Sequence, residues 1–329
     1  MAEAQHELIP LSQPERWEAA VAQLPHGHAH TWGFCRAAQL TSGVPSYLYR
    51  YSRGRSLVVC PLCERQFSGQ TDIVTPYGFG GFTASGPCAE FARDWSAFAR
   101  SGGWVCGYIS LNPLFFEAEG FDPEEVHVHN RLYVMDLLRP QEEIVRGLSQ
   151  NRRRQLREWP SVAATLNHDR GELTAFLLAN YAAFFTRKEA GSATRFTAAT
   201  MTAVAELEDV FMVGAGEGRR LESVAVFGHT AHAADLLFNI SVPGGERYAV
   251  HLTWSGVEHF RELGVRSLNL GGGIRPEDNV AEFKRRFGAA ELPLRSLRQV
   301  YRPAEYERLC RQAGKPANSD SGYFPAYHA

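Results

Sequence analysis

The feature that most constrains this 329-residue chain is a change in its apolar pattern between residues 222 and 288. Two apolar segments joined by a tight turn have the composition of β-strands, and the next segment spaces its apolar side chains like one face of a helix. A short apolar strand then ends in three glycines, and a short helix follows. In chain order these segments are residues 222–229, 232–241, 252–263, 266–270, 271–273 and 281–287. This order predicts an α/β domain in which helices flank a sheet.

The length of the chain and the interruptions in its pattern predict the domain organisation. At roughly 100–200 residues per domain, a chain of this length predicts two domains. Pro113 and an acidic loop over residues 117–125 interrupt the regular pattern, so we expect the boundary just after this loop. The expected domains are residues 1–130 and residues 131–315. The polar, proline-containing residues 316–329 are expected to form a mobile tail.

Composition and charge exclude several classes of function. The formal net charge of −2 disfavours a protein that coats DNA or long RNA. No stretch approaches the roughly 18 consecutive apolar residues of a membrane-spanning helix, and residues 1–14 lack the basic and apolar regions of a secretory signal. The six cysteines are scattered, which is typical of free thiols in a reducing compartment. We therefore expect a cytoplasmic protein that binds no DNA and inserts into no membrane.

Several short motifs resemble those of one known family. They are TPYGFGGF at residues 75–82, NRRR at 151–154, LTW at 252–254, LNLGGG at 268–273 and FKRRFG at 283–288. The NRRR motif lies in a helix predicted over residues 142–159 and stopped by Pro160. Together with the order of strands and helices, these motifs resemble the Fem-like (FemABX) aminoacyl/peptidyl transferase family of the GNAT acyltransferase superfamily.

The resemblance implies both a fold and an activity. The implied fold is α/β (α+β), with two tandem GNAT-like domains that each contain a mixed central sheet flanked by helices. The implied activity moves an amino acid from aminoacyl-tRNA to the amine of a small-molecule or peptide acceptor and forms an amide bond. No bound cofactor is implied, and the co-substrate is aminoacyl-tRNA. Two alternatives stay open: an acyl-CoA-dependent GNAT N-acyltransferase and a non-catalytic GNAT-like binding module.

The Phe-Lys pair of the family falls on Phe283 and Lys284, which the resemblance identifies as catalytic. The reaction passes through a tetrahedral oxyanion, so the enzyme must align the reactants and direct a cation or N–H groups at that oxygen. By resemblance, Lys284 would stabilise the oxyanion or a neighbouring phosphate, and Phe283 would pack against the donor. The alternative is that Lys284 is one of three solvated cations on an amphipathic helix.

Seven residues are expected to bind the donor and its phosphates. They are Arg152, Arg153, Arg157, Gly271, Gly272, Gly273 and Arg285. Because Arg153 and Arg157 are four residues apart, we expect them to share one face of the predicted helix. A solvated basic face is the alternative for the arginines, and a tight exit from a buried strand is the alternative for the glycines.

Three residues are expected to bind the acceptor: Tyr77, Gly78 and Trp254. Tyr77 and Gly78 are also typical of a turn with no ligand. No general base is predicted, although Glu258 or Asp235 could assist proton removal. Nor is a metal site predicted, because the CPLC segment at residues 60–63 has no second cysteine pair.

The loop at residues 241–248 distinguishes between the two possible donors. A CoA-binding GNAT has a glycine turn here whose successive N–H groups hold the pyrophosphate. This chain has SVPGGERY, which lacks that glycine spacing and places Glu246 beside the expected phosphates. The sequence therefore favours aminoacyl-tRNA. It also lacks a charged helical insertion for tRNA, so recognition is expected at the acceptor end.

Overall fold

The computed structural model describes residues 3–187, 196–218, 220–273, 278–317 and 323–329. The strands are, in chain order, β1 (Gln5–Pro10), β2 (Ser46–Arg53), β3 (Ser56–Phe67), β4 (Gln70–Val74), β5 (Thr83–Ala84), β6 (Cys106–Leu111), β7 (Val126–Asp136), β8 (Val210–Glu217), β9 (Arg220–His229), β10 (Ala234–Ser241), β11 (Ser267–Asn269) and β12 (Ala290–Val300). The α-helices are α1 (Pro14–Val21), α2 (Trp32–Ser42), α3 (Phe91–Ser101), α4 (Gln141–Gly147), α5 (Gln150–Gln155), α6 (Trp159–Ala163), α7 (Arg170–Arg187), α8 (Ala198–Glu206), α9 (Ala249–Glu262), α10 (Asn279–Arg285) and α11 (Pro303–Gln312). Among these described residues, no helix has the length and apolar character needed to cross a membrane.

The chain divides into two compact units, and the first comprises Met1–His129 with Leu294–Ala329. Its strands are ordered β1-β2-β3-β4-β6-β12, and β5 pairs with β3. β4 and β6 run parallel, whereas the other neighbours run antiparallel, so the sheet is mixed. Phe91 and Trp95 of α3 pack with Val58 of β3 in the core of this unit.

The second unit, Asn130–Pro293, contains residues 222–288, whose apolar pattern predicted an α/β domain. Its strands are ordered β7-β11-β10-β9-β8, with β10 and β11 parallel and the other pairs antiparallel. Helix α9 packs Phe260 into the same core as Phe227 of β9. A Cβ atom on Gly256 of α9 would lie 2.5 Å from the ring of Phe227, so the helix approaches the sheet closely because this residue is glycine. The mixed sheet flanked by helices that we expected in each domain is confirmed.

The single helix predicted over residues 142–159 is wrong. The segment forms α4, α5 and α6 instead, with a 3-10 turn at Leu156–Glu158. The break before α5 has a local cause, since Ser149 is its N-cap and accepts a hydrogen bond from the backbone N–H of Arg152. Pro160 lies in the first turn of α6, where a missing N–H costs nothing, and therefore does not end a helix as predicted.

The compact units differ from the expected domains in the C-terminal segment. We expected residues 131–315 to form one domain, but Leu294–Ala329 belongs to the first unit. The physical reason is strand pairing, because Arg295–Val300 of β12 pairs antiparallel with β6. Leu309 of α11 also packs into a core cluster with Val105 of the first unit.

The end of the predicted mobile tail is anchored in the first unit. Tyr327 is 4% exposed and donates a hydrogen bond of 2.9 Å to Asp72, which also accepts one of 3.0 Å from His328. Arg65 contacts the same carboxylate at 2.6 Å, and burial opposes but does not outweigh these partners, so the pKa of Asp72 lies below its ordinary value. The prediction of a mobile tail is therefore wrong for residues 323–329, and residues 318–322 lie outside the described residues.

Candidate active site

Lys284 is a buried lysine on α10, the short helix that follows the glycine triplet. The side chain of Asp278 caps this helix by accepting a hydrogen bond of 2.7 Å from the backbone N–H of Ala281. The side chain of Lys284 is 8% exposed, and its Nζ donates a hydrogen bond of 2.5 Å to the carbonyl oxygen of Gly272. Among the described residues, no carboxylate forms an ion pair with it. The alternative of a solvated cation is therefore wrong for Lys284.

Burial changes the acid–base behaviour of Lys284. Desolvation disfavours the ammonium form, and the nearby charge of Asp278 offsets only part of this effect, so the pKa is lowered from 10.5 to about 8. The choice of lysine is unusual in this chain, because only 3 of its 34 lysines and arginines are lysines. An arginine keeps its charge at neutral pH, whereas Lys284 can lose its proton just above neutral pH.

The small number of lysines makes this pKa directly measurable. We expect an NMR titration of protein containing carbon-13-labelled lysine to show a signal with a midpoint near pH 8. The Lys284→Met variant assigns the signal by removing it. Titration of all the lysine signals near the ordinary value would contradict the burial of Lys284.

The glycine triplet forms the acceptor for this lysine. Gly271 has a φ of +78°, a backbone conformation that favours glycine. A Cβ on Gly272 would lie 2.8 Å from the side-chain nitrogen of Asn130 and 2.9 Å from the carbonyl oxygen of Arg131. The Nδ2 group of Asn130 also donates a hydrogen bond of 2.9 Å to the Gly273 carbonyl. Gly272 therefore has room for no side chain because its backbone lies against Asn130 and Arg131, and donor binding by the glycine triplet stays a prediction.

Arg152 stacks on the aromatic residues that flank Lys284 in sequence. Its guanidinium carbon lies 4.5 Å from the ring centroid of Phe283 and 5.2 Å from that of Phe287. The side chain is 6% exposed, and one terminal nitrogen donates to Gln155 at 2.8 Å, whereas its buried Nε has no hydrogen-bond partner. Burial, reinforced by the charge of Arg286, lowers the pKa of Arg152 to about 10. Within the described residues no carboxylate pairs with this buried cation.

The other arginines predicted to bind the donor have different surroundings. Arg153 and Arg157 are exposed, and α5 ends at Gln155, so the helical face that we expected them to share does not form. Arg153 donates a hydrogen bond of 2.9 Å to the Arg146 carbonyl and lines a shallow surface concavity of about 530 Å³. Arg285 is engaged by two carboxylates, Glu282 and Glu291, each at 2.8 Å. The structure therefore joins Arg152 to Phe283, and Lys284 to Gly272, but leaves Arg153 and Arg157 in solvent.

The three residues predicted to bind the acceptor do not share one environment. Trp254 is 3% exposed, lies in the core of the second unit and donates an indole hydrogen bond of 3.0 Å to Glu258. The core packing of Trp254 accounts for its indole without a ligand, and its acceptor role stays a prediction. Tyr77 is 46% exposed in the first unit, and Gly78 has a φ of +125° beside Ala29. The positive φ explains why residue 78 is a glycine. The acceptor role of Tyr77 and Gly78 stays a prediction.

Two glycine N–H groups in the loop after β10 are bound by acceptors of the loop itself. The Glu246 carboxylate accepts a hydrogen bond of 2.8 Å from the backbone N–H of Gly244, and the Val242 carbonyl accepts one of 2.9 Å from Gly245. A turn that binds pyrophosphate must leave such N–H groups free for the ligand. This geometry adds to the sequence argument against CoA.

No family model matches the chain, and no curated protein is similar to it in sequence. The structure of FemX is similar with a TM-score of 0.64 at 12% identity, over 93% of this chain and 99% of that chain. The chain has the Fem-like GNAT fold.

Two further structures share this fold. One is the C-terminal domain of a putative lysylphosphatidylglycerol synthetase from Agrobacterium fabrum, with a TM-score of 0.56 at 12% identity over 95% of this chain and 98% of that domain. The other is L-PGS from Bacillus licheniformis, with a TM-score of 0.53 at 12% identity over 92% of this chain and 98% of that chain. At these identities the similarity establishes the fold, which is that of GNAT and Fem-like transferases.

Proposed function

We propose that the protein is an aminoacyltransferase that moves an amino acid from aminoacyl-tRNA to an amine of a small-molecule or peptide acceptor. The observation that carries this proposal is the buried ammonium of Lys284 beside the glycine triplet. A lysine that needs no function is normally solvated, because burial of its charge is costly. The folds of FemX and of a lysylphosphatidylglycerol synthetase, whose name describes a lysyl group joined to a lipid, support the choice of an aminoacyl group.

Lys284 has the chemistry required to stabilise the transition state. The neutral acceptor amine attacks the ester carbonyl of the aminoacyl-tRNA and forms a tetrahedral oxyanion. An ammonium has three N–H donors, and Lys284 directs one of them at Gly272, so two remain for the oxyanion. Because the site excludes most water, the attraction between these charges is stronger than in solution. The attack forms the C–N bond, and collapse of the intermediate restores the carbonyl as an amide and breaks the ester C–O bond. The tRNA hydroxyl leaves with the proton lost by the amine.

Arg152 supplies the second buried cation of the proposed site. Its guanidinium lacks a carboxylate partner, and buried cations are normally paired with an anion. A phosphate near the acceptor end of the tRNA has the charge and the acceptor oxygens to pair with Nε and a terminal nitrogen. Phe283 contributes by holding the guanidinium plane, since Arg152 stacks on its ring. We therefore assign phosphate binding to Arg152 ahead of its exposed neighbours.

One assay separates aminoacyl-tRNA from acyl-CoA as the donor. The protein is incubated with a panel of amines and either tRNA charged with labelled amino acids or labelled acyl-CoA, and half of the tRNA reactions receive ribonuclease first. We expect labelled amide only with intact charged tRNA, because acceptors within the loop at residues 241–248 already bind the N–H groups of Gly244 and Gly245.

The controls of this assay test the other two candidate functions. Product that survives ribonuclease, or that forms only with the thioester, would establish the acyl-CoA reaction instead. If the parent protein and a folded Lys284→Met variant bind charged tRNA equally and neither forms product with any amine, the protein is a binding module.

A further inference from the structure

A series of hydrogen bonds in the second unit connects the buried Asp235 to Lys284. Asp235 on β10 and Asn269 at the end of β11 are neighbours on two parallel strands. The Nδ2 group of Asn269 donates a hydrogen bond of 2.9 Å to Asp235, and its Oδ1 accepts one of 2.8 Å from the backbone N–H of Gly271. The next residue, Gly272, accepts the hydrogen bond of Lys284 at 2.5 Å. Sequence reasoning missed Asn269, although an asparagine two residues before a glycine is typical of a turn.

These contacts fix the direction of the Gly272 carbonyl. Asn269 holds the N–H of Gly271 on one side of it, and Asn130 holds the carbonyl of Gly273 on the other. The Gly271 carbonyl is also bound, because it accepts a hydrogen bond of 3.2 Å from the backbone N–H of Tyr133. Both neighbouring peptide groups are thus held by hydrogen bonds, and the carbonyl between them accepts the hydrogen bond of Lys284.

Burying Asp235 and Asn269 lowers the stability of the fold unless their hydrogen bonds serve a purpose. Asn269 is fully buried and Asp235 is 3% exposed. A buried carboxylate and amide lose their hydration, and two apolar residues of similar size would pack in the sheet at no such cost. The carboxylate also polarises the amide, which makes Asn269 a stronger acceptor for the Gly271 N–H.

We propose that Asn269, oriented by the carboxylate of Asp235, is a positioning residue that sets the location of the Lys284 ammonium through the Gly271–Gly272 turn. This inference rests on the proposed function for the role of Lys284 in turnover. It concerns Asn269 and Asp235, which act on Lys284 through the Gly271–Gly272 turn.

The test compares Asn269→Leu with the reciprocal double variant Asp235→Asn/Asn269→Asp. Leucine has a similar volume but offers no acceptor to Gly271. The double variant exchanges the amide and the carboxylate, so Asn at position 235 can donate to Asp at position 269, whose second oxygen still accepts from Gly271. Ser223→Ala is the matched control, because Ser223 is fully buried in the same sheet and its hydroxyl donates a hydrogen bond of 3.2 Å to the Ile240 carbonyl.

Two readouts distinguish positioning from simple stability. In Asn269→Leu we expect kcat to fall about 10- to 100-fold with KM changed less than about 3-fold, the range typical of losing a group that orients a functional residue. We also expect the NMR titration midpoint of Lys284 to fall, because its charged form loses a fixed acceptor. Asp278, the charged group that raises the pKa of Lys284, is unchanged in every variant.

The double variant should return both readouts towards the parent values, and Ser223→Ala should move neither. The proposal is overturned if Asn269→Leu is folded and its Lys284 titrates as in the parent protein, or if the folded double variant resembles Asn269→Leu. Since the titration needs no substrate, it tests this inference even if no aminoacyl transfer is found.

Discussion

Lys284→Met is expected to lower kcat for aminoacyl transfer by about 100- to 1,000-fold, the usual cost of removing one oxyanion donor. The same change is expected to raise the free energy of unfolding at pH 7. Lowering the pKa of Lys284 from 10.5 to about 8 corresponds to roughly 3 kcal/mol of unfavourable burial of its charge, and methionine removes that cost. The Gly272 carbonyl loses its donor, which reduces the expected gain to about 2 kcal/mol.

The pH dependence of this gain has a definite direction. Below pH 8 the lysine is charged in both the folded and the unfolded chain, so the folded state bears the full cost of burial. Between pH 8 and pH 10.5 the unfolded chain binds more protons than the folded one, and the stability of the parent protein rises with pH. The difference between Lys284→Met and the parent should therefore shrink across this interval.

Denaturant unfolding at several pH values, together with kcat, checks both expectations. Lys315→Met is the matched control, since Lys315 is exposed, and it should change neither quantity. A Lys284→Met protein that keeps its turnover would refute the catalytic role of this lysine.

Arg152→Met is expected to weaken binding of charged tRNA about 10- to 100-fold while the free energy of unfolding changes by less than about 1 kcal/mol. Methionine keeps an apolar contact with the ring of Phe283, and it removes a buried charge that has no carboxylate partner. Loss of the cation–π contact and of the hydrogen bond to Gln155 opposes the gain from removing the buried charge, whereas no other group replaces the lost phosphate contact. Filter binding over a range of salt concentrations measures the effect, and the slope of log K against log salt should become shallower by about one phosphate contact.

Arg153→Met provides the comparison for Arg152. Both residues lie in the same run of arginines, but Arg153 is exposed and bonded to the carbonyl of Arg146. Its substitution should change tRNA affinity by no more than about 2-fold, as expected for a single solvated charge. Equal losses of affinity in the two variants would assign RNA binding to the basic surface instead of the buried guanidinium.

The sequence determined the local structure wherever the apolar side chains of a segment followed the spacing of one strand or one helix. Apolar runs of strand length predicted β9 and β10, and side chains at helical spacing predicted α9. Motifs of glycine, phenylalanine and lysine then indicated the Fem-like GNAT fold, which the structural similarity to FemX confirms. These inferences succeeded because each depends on neighbours within about one or two turns of the chain.

Only the tertiary structure decided which charged residues are buried. The spacing of the arginine run grouped Arg153 with Arg157. In the structure, Ser149 caps α5 and the buried guanidinium of Arg152 packs on the rings of Phe283 and Phe287. The hydrogen bond from Lys284 to Gly272 spans 12 residues, and that from Asn269 to Asp235 spans 34. Periodicity describes one element at a time, whereas burial and pairing depend on which elements pack together. For the same reason the return of Leu294–Ala329 to the first unit, through the pairing of β12 with β6, was decided by long-range packing alone.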